Sequence, residues 1–271
     1  MKFIRNLNRQ GRLGFVVIIT IILLGILVPL LSDYGSISIS EDVLEPPSKY
    51  HLFGTDQLGR DIFTRTFAAT TLDISLAIIG VSIPFIIGTI IGAFLGTTRL
   101  QAISWVLELI IEGINAFPFI VLVIGIVAML GPGVQGLLVG LAATNWARYA
   151  RVARTRALTL KDIEYIQAAE VLGYSKDRIL LRHILPNVYS ETLAYGLSDF
   201  VLVIIMISGL SYLGLGVRPP TPEWGAIMAD GRMFLQNQWW ITVFPGLILS
   251  VTAIGVAMFA QGVTELIRGE Q

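Results

Sequence analysis

Glu108 and Glu112 stand four residues apart, Asp199 lies alone in an otherwise apolar run, and His51 and His183 are the only imidazoles in the chain. Carboxylates four apart share a helix face, where they could relay protons or, helped by an imidazole, hold a metal ion. Their supply of partners is thin. The chain has no cysteine, which excludes disulfides, thiol nucleophiles and zinc-thiolate sites. A hydrolase would need a base and ligands at set spacings, and the apolar runs offer only isolated carboxylates and amides. No lysine follows a glycine, so the phosphate-cradling loop G-x-x-x-x-G-K-[ST] cannot be built. Any work done by ATP must therefore be done by a partner, and this chain is expected to hold no metal or cofactor and to be no enzyme.

The polar stretch at residues 165–186, YIQAAEVLGYSKDRILLRHILP, is the other place where chemistry could happen. Ile166, Ala169 and Leu172 recur at helical spacing, and Ala168 and Ala169 keep that face small enough for a partner to approach the backbone. Gly173 permits a left-handed turn at the helix end. Ile179, Leu180 and Ile184 continue the apolar face, Asp162 or Ser175 is available as a cap, and Pro186 reads as the stop. The pattern predicts a helix-turn-helix knob with a basic rim, facing water.

The elements that present this knob belong in a membrane. Of 271 residues 54% are hydrophobic and 14% charged, and mean hydropathy is +0.74, far too apolar for a soluble domain. Net charge is zero, so no nucleic-acid face is indicated. Apolar runs at 14–31, 74–98, 116–130, 134–149, 192–212 and 240–261 predict an all-α polytopic bundle of about six transmembrane helices. Gly88, Gly92 and Gly96 clear one face of the second span for close helix packing within the chain. Pro84, Pro118 and Pro245 are expected bends. Residues 33–73 read as a solvated external loop. Trp224 and Gly225 read as a short helix on the outer surface, and Trp239 and Trp240 as interface anchors. The segment 1–73 thus forms an N-terminal part, and 74–271 a core of five spans carrying the loop 160–189.

Topology can be read from the basic residues. With both termini in the cytoplasm, Arg99 marks an inner turn and only Lys49, Arg60, Arg65, Arg218 and Arg232 of the 19 Lys and Arg lie outside. That split obeys the positive-inside rule. Arg148 and Arg151 then snorkel at the inner boundary, and Glu108 and Glu112 lie near it.

Gln167-Ala168-Ala169, Gly173 and the terminal Leu185-Pro186 resemble the EAA loop of the membrane subunits of ABC importers, which seats in a groove of the ATPase. Gln167 stands where that family usually has Glu, and His183 where many members have an aliphatic residue. The likeness extends to Gly54-Thr55-Asp56 with Gly59-Arg60-Asp61, to Ala116-Phe117-Pro118, and to LSYLGLG at 210–216 followed by PPTPEWG at 219–225. In that order these are similar to the second permease subunit of dipeptide, oligopeptide and nickel importers. The resemblance implies the type I importer architecture in a prokaryotic inner membrane. It also implies a second homologous permease, two ATP-binding subunits carrying ATP and Mg, and an extracytoplasmic solute-binding protein. Peptides are the majority substrate of such systems, with nickel or metal chelates next. Asp199 is expected either to line the path or to make a structural hydrogen bond. The rival readings are an ion-coupled carrier or channel using Asp199, Glu108 and Glu112, and a scaffold subunit.

Overall fold

The computed structural model describes residues 6–98 and 100–269, without the side chain of Arg268. The turn assigned to Arg99 and the charges of Lys2 and Arg5 lie outside the described residues. Among the described residues there are ten α-helices: α1 Arg9–Leu31, α2 Ile62–Thr97, α3 Gln101–Ala116, α4 Phe119–Leu130, α5 Val134–Lys161, α6 Glu164–Val171, α7 Lys176–Ile179, α8 Leu185–Tyr212, α9 Trp224–Asp230 and α10 Trp240–Arg268. No strand occurs among the described residues; the nearest thing is an isolated antiparallel bridge between Thr55 and Asp61.

Among the described residues, four helical segments are long and apolar enough to cross a membrane: α1, α2, the run Lys176–Tyr212 and α10. A fifth arises if α3 and α4, bent by 95° at Phe117-Pro118, count as one span. The bend is caused by Pro118, which lacks the N–H that would continue α3 and forces Phe117 into extended backbone. The remaining expected span, 134–149, does not stop at Tyr149. Helix α5 continues to Lys161 because nothing in its sequence breaks a helix, and its arginines make it too polar for a span by composition. The second span likewise begins earlier than its apolar run, since Asp61 caps α2 by accepting from the Thr64 amide at 2.7 Å. Helix α2 therefore runs unbroken through residue 73, where composition alone marks a change.

Two glycine-lined contacts hold the bundle. Gly88, Gly92 and Gly96 lay α2 directly on α5, and a Cβ at Gly92 would stand 2.2 Å from the Ala150 carbonyl oxygen. Packing within the chain is thus the use of this face. Helix α1 meets α10 in the same way, with a Cβ at Gly14 falling 2.5 Å from the Gly255 oxygen. The main core lies among α2, α4, α5, α8 and α9, and includes Leu137, Leu141, Ile204, Ile207 and Trp224.

Candidate functional site: a knob and a clamp at opposite ends of the bundle

The knob is built on a second, smaller core. Ala93 of α2 and Ala153, Ala157 and Leu160 of α5 pack against Ile166, Ala169, Ile179, Ile184 and Val188. The small residues on α2 and α5 let the knob sit close, and its larger aliphatic residues fill the space above them. Helix α6 ends in a Schellman turn: the Tyr174 amide donates to the Ala169 carbonyl at 3.1 Å and the Gly173 amide to Glu170 at 2.9 Å. This closure needs a left-handed residue, and Gly173 has φ +78°. Ser175 then caps α7, accepting from the Arg178 amide. Asp162 does not cap the start of α6; it is the C-cap residue of α5, and α6 starts from Ile163 with no side-chain cap.

Ala169 is buried, Gln167, Ala168, Gly173 and Pro186 are exposed, and His183 and Leu185 are half-buried. Leu172 departs from the apolar face assigned to it. It is 73% exposed, beside Val171 at 88%, because the Schellman turn directs the end of α6 away from the bundle. The tip is therefore apolar and uncovered. His183 sits between the rings of Tyr165 and Tyr174, at centroid distances of 6.2 and 6.4 Å, and Arg178 lies 4.2 Å over Tyr174. An imidazole at 183 thus gives the knob an aromatic filling. A groove of about 370 Å³ runs beside it, lined by residues that include Lys161, Gln167, Glu170 and Lys176.

Pro186 does not stop the helix. Residues Leu180–Ile184 form a π-helical turn that leads directly into α8, and Pro186 occupies its first turn. A proline there lacks only a donor that a helix start leaves unpaired. The knob is consequently continuous with α8, so a push on it is a push on that helix. The stretch from Arg148 to Tyr189, which reads as a loop by composition, is the end of α5, the knob and the start of α8.

Asp199 lies on α8 and is 3% exposed. Its Oδ2 accepts from Asn145 Nδ2 at 2.6 Å and from the Tyr149 hydroxyl at 2.9 Å, both on α5. Glu108 and Glu112, on α3, pair with Arg154 at 2.6 Å and Arg151 at 3.4 Å on α5. Neither glutamate meets Asp199 in these contacts.

The opposite end holds a cluster that composition hides. Residues 33–73 are not simply a solvated loop, because Asp56, Arg60, Asp61 and Arg65 are all buried. Asp56 accepts from Arg60 Nε at 2.6 Å, Arg60 reaches Asp230 of α9 at 3.0 Å, and Arg65 lies 3.6 Å from the same Asp230 oxygen. Burial pushes the Asp230 carboxyl up, and the guanidiniums of Arg60 and Arg65 pull it the other way. Asp61, besides capping α2, takes His51 Nδ1 at 2.9 Å, while His51 Nε2 lies 3.5 Å from Asp42. No group of three or more metal-ligating side chains forms a metal site among the described residues. Gly54 and Gly59 close this structure with φ +74° and +69°, and a Cβ at Gly59 would lie 2.3 Å from the Ser40 oxygen.

Helix α9 is not on the surface. Trp224 is fully buried, donating its indole N–H to the Thr66 carbonyl at 2.9 Å. Trp239 is exposed as an interface anchor would be, but Trp240 is buried and donates to the Thr55 carbonyl. A sequence signal for this clamp does exist: Asp56 and Arg60 at i,i+4, and Asp61 before an apolar run. Nothing local, however, points to Asp230.

An all-helical bundle with a sharply bent helix pair, a knob continuous with a long helix and four to five apolar spans is a membrane permease fold. The chain belongs to the family described as the binding-protein-dependent transport system inner membrane component, whose model matches residues 88–267, and it is an ABC-importer permease of the peptide type. It is 35% identical over 260 residues to a dipeptide transport system permease protein of Alkalihalophilus pseudofirmus, covering 95% of this chain and 85% of that one. It is 32% identical to the oligopeptide transport system permease protein of Bacillus subtilis, with 95% and 85% covered. A probable D,D-dipeptide permease of Escherichia coli is also 32% identical, over 93% and 85%. Among solved structures, an inward-facing methionine ABC transporter aligns with TM-score 0.57 at 15% identity, over 76% of this chain and 96% of that one. An amino acid ABC transporter aligns with TM-score 0.56 at 16% identity, over 76% and 94%. These two likenesses concern the fold.

Proposed function

We propose that this chain is one of two permeases that import di- or oligopeptides across the inner membrane, and that residues 165–186 couple it to separate ATPase subunits. The observation that carries the coupling is the knob itself. Val171 and Leu172 form an uncovered apolar tip on a base locked to α2 and α5, and the knob runs without a break into α8. Exposed apolar side chains on a rigid mount fit a protein groove. The basic residues support a cytoplasmic knob and cytoplasmic termini through the positive-inside rule, with the clamp then outside. Peptide as cargo rests on the names of the relatives.

In this reading a solute-binding protein delivers cargo at the clamp end, and ATP with Mg, held by two partner subunits, closes them on each other. The knobs move with them, and α8 transmits the motion to the path as a rigid body. Asp199 ties α8 to α5 and reaches the path only when those helices part. Asp199→Asn keeps a hydrogen-bonding side chain, so unchanged uptake of every substrate in that variant removes the pathway role.

Because the native chain has no cysteine, Leu172→Cys gives a single thiol. Crosslinking through it in the assembled transporter should capture the ATPase subunit and inhibit peptide uptake. Crosslinks that reach only lipid or another permease would remove the coupling assignment. Competition between dipeptides, oligopeptides and nickel chelates then identifies the cargo.

A further inference from the structure

Helix α1 meets α2 through Gly25, where a Cβ would stand 2.7 Å from Thr70, and the contact leaves a neighbouring stripe of α1 unpacked. Leu24, Leu27, Val28 and Leu31 recur at helical spacing along that stripe, and none of them is buried. They line a groove of about 480 Å³, a size in the range of small-molecule sites, together with Phe63 of α2. Phe63 is a fixed wall, since its ring packs on those of Phe53 and Phe67 at 4.9 and 5.0 Å.

Beyond the end of α1 the groove has a polar lip, which includes Asp33, Tyr34, Lys49 and Tyr50. The lip is tied to the clamp. Ser32 and Thr64 share a hydroxyl hydrogen bond of 2.8 Å, the Tyr34 amide donates to Ser32 Oγ at 3.1 Å, and the Tyr34 ring lies 4.6 Å from that of His51, which Asp61 holds. Two opposite charges share this lip without closing on each other. Lys49 lies 5.0 Å over the Tyr50 ring, and among the described residues neither Lys49 nor Asp33 forms an ion pair. Asp61, the other acid of the groove, is taken by the Thr64 amide and His51. A base and an acid held apart in one groove fit a zwitterion better than a ligand of single sign.

Depth names the kind of zwitterion. Leu24 lies seven residues below Leu31, about 10 Å along the axis at 1.5 Å per residue. Helix α1 is a span, so this stripe lies in hydrocarbon while the lip stands at its boundary. An occupant must be apolar for about 10 Å and carry both charges above that, which describes a phospholipid.

We propose that this groove binds a phospholipid whose headgroup ends in a primary ammonium, the phosphatidylethanolamine class. Its phosphate sits on Lys49, its ammonium on Asp33, and one acyl chain runs along Leu31, Val28, Leu27 and Leu24. With the clamp end outside, the lipid belongs to the outer leaflet. A primary ammonium brings Asp33 the N–H donors that a choline headgroup lacks, and a glycerol headgroup would set Asp33 against a lipid of net negative charge. The bound lipid closes the seam between α1 and the clamp.

Native mass spectrometry of the assembled transporter, released from vesicles of phosphatidylethanolamine, phosphatidylcholine and phosphatidylglycerol in equal parts, tests this. The native complex should retain phosphatidylethanolamine in preference. Lys49→Ala and Asp33→Ala should each weaken that retention by about fivefold, the upper end for an exposed ion pair, and Asp33→Lys should turn the preference to phosphatidylglycerol. Both positions are exposed, so these variants keep the fold. A phosphatidylethanolamine with a photoreactive acyl chain should label residues 24–31 in the native chain and lose that label in Val28→Trp, which fills the groove. Equal retention of the three lipids, or retention unmoved by Lys49→Ala and Asp33→Ala, means unselective annular lipid only and overturns the proposal. Crosslinking of Leu27→Cys to the second permease, with no lipid label on α1, would put a protein helix in the groove and overturn it as well.

Discussion

At the knob, Val171 and Leu172 are 88% and 73% exposed, whereas at the clamp Asp56, Arg60, Asp61 and Arg65 are each below 5%. Apolar side chains face out at one end, and charges face in at the other. No described residue covers the knob's tip, and in the proposed reading a second protein does. The clamp is closed within the chain: Arg60 and Arg65 each find a carboxylate, and those carboxylates come from the loop, as Asp56, and from α9, as Asp230. A completed polar cluster fixes geometry, while an unfinished apolar one invites docking.

The contrast breaks first at Asp56. Asp56→Ala leaves Arg60 and Arg65 to share Asp230 in a buried site, and should cost about 3–5 kcal/mol. Thermal unfolding of the assembled transporter in detergent measures it, and a loss as small as a surface substitution gives would show that the clamp holds nothing. Between the two ends, Gly92→Leu drives a side chain into the Ala150 carbonyl and should cost about 1–3 kcal/mol, seen as lower yield and melting temperature. Tyr149→Phe removes one donor from buried Asp199 but leaves Asn145 in place, so the expected loss is about 1 kcal/mol by the same melt. The smallest stability effect belongs to the knob tip. Leu172→Ser should change stability by no more than about 0.5 kcal/mol yet uncouple ATP hydrolysis from uptake, measured together in proteoliposomes. A large drop in melting temperature there would mean the tip is structural, and the contrast with the clamp would be gone.

Much of the knob is legible in order along the chain. Ile166 and Ala169 face the core as their spacing requires, Gly173 turns left-handed where a helix must end, and Ser175 caps α7. These are local relations, governed by helical period and by single-residue dihedral freedom. Pro186 is the local signal that misleads, because a proline reads alike as a stop and as a first-turn residue until the π turn before it is seen. The clamp fails to show for a different reason. Arg60 and Asp230 are separated by 170 positions, and a charged residue in a polar segment looks solvated until the fold supplies its partner.

Composition and hydrophobic period determined that this chain is helical, that it lives in lipid, and that one polar knob with a glycine turn would stand clear of it, because each of those depends on residues within a few turns of one another. Only the tertiary structure decided that Asp199 is held by Asn145 and Tyr149, that α9 is drawn down against Asp73, and that the charges of the first loop are buried. Burial and pairing between distant segments are properties of where the helices end up, and the close approach at Gly88, Gly92 and Gly96 is what puts them there.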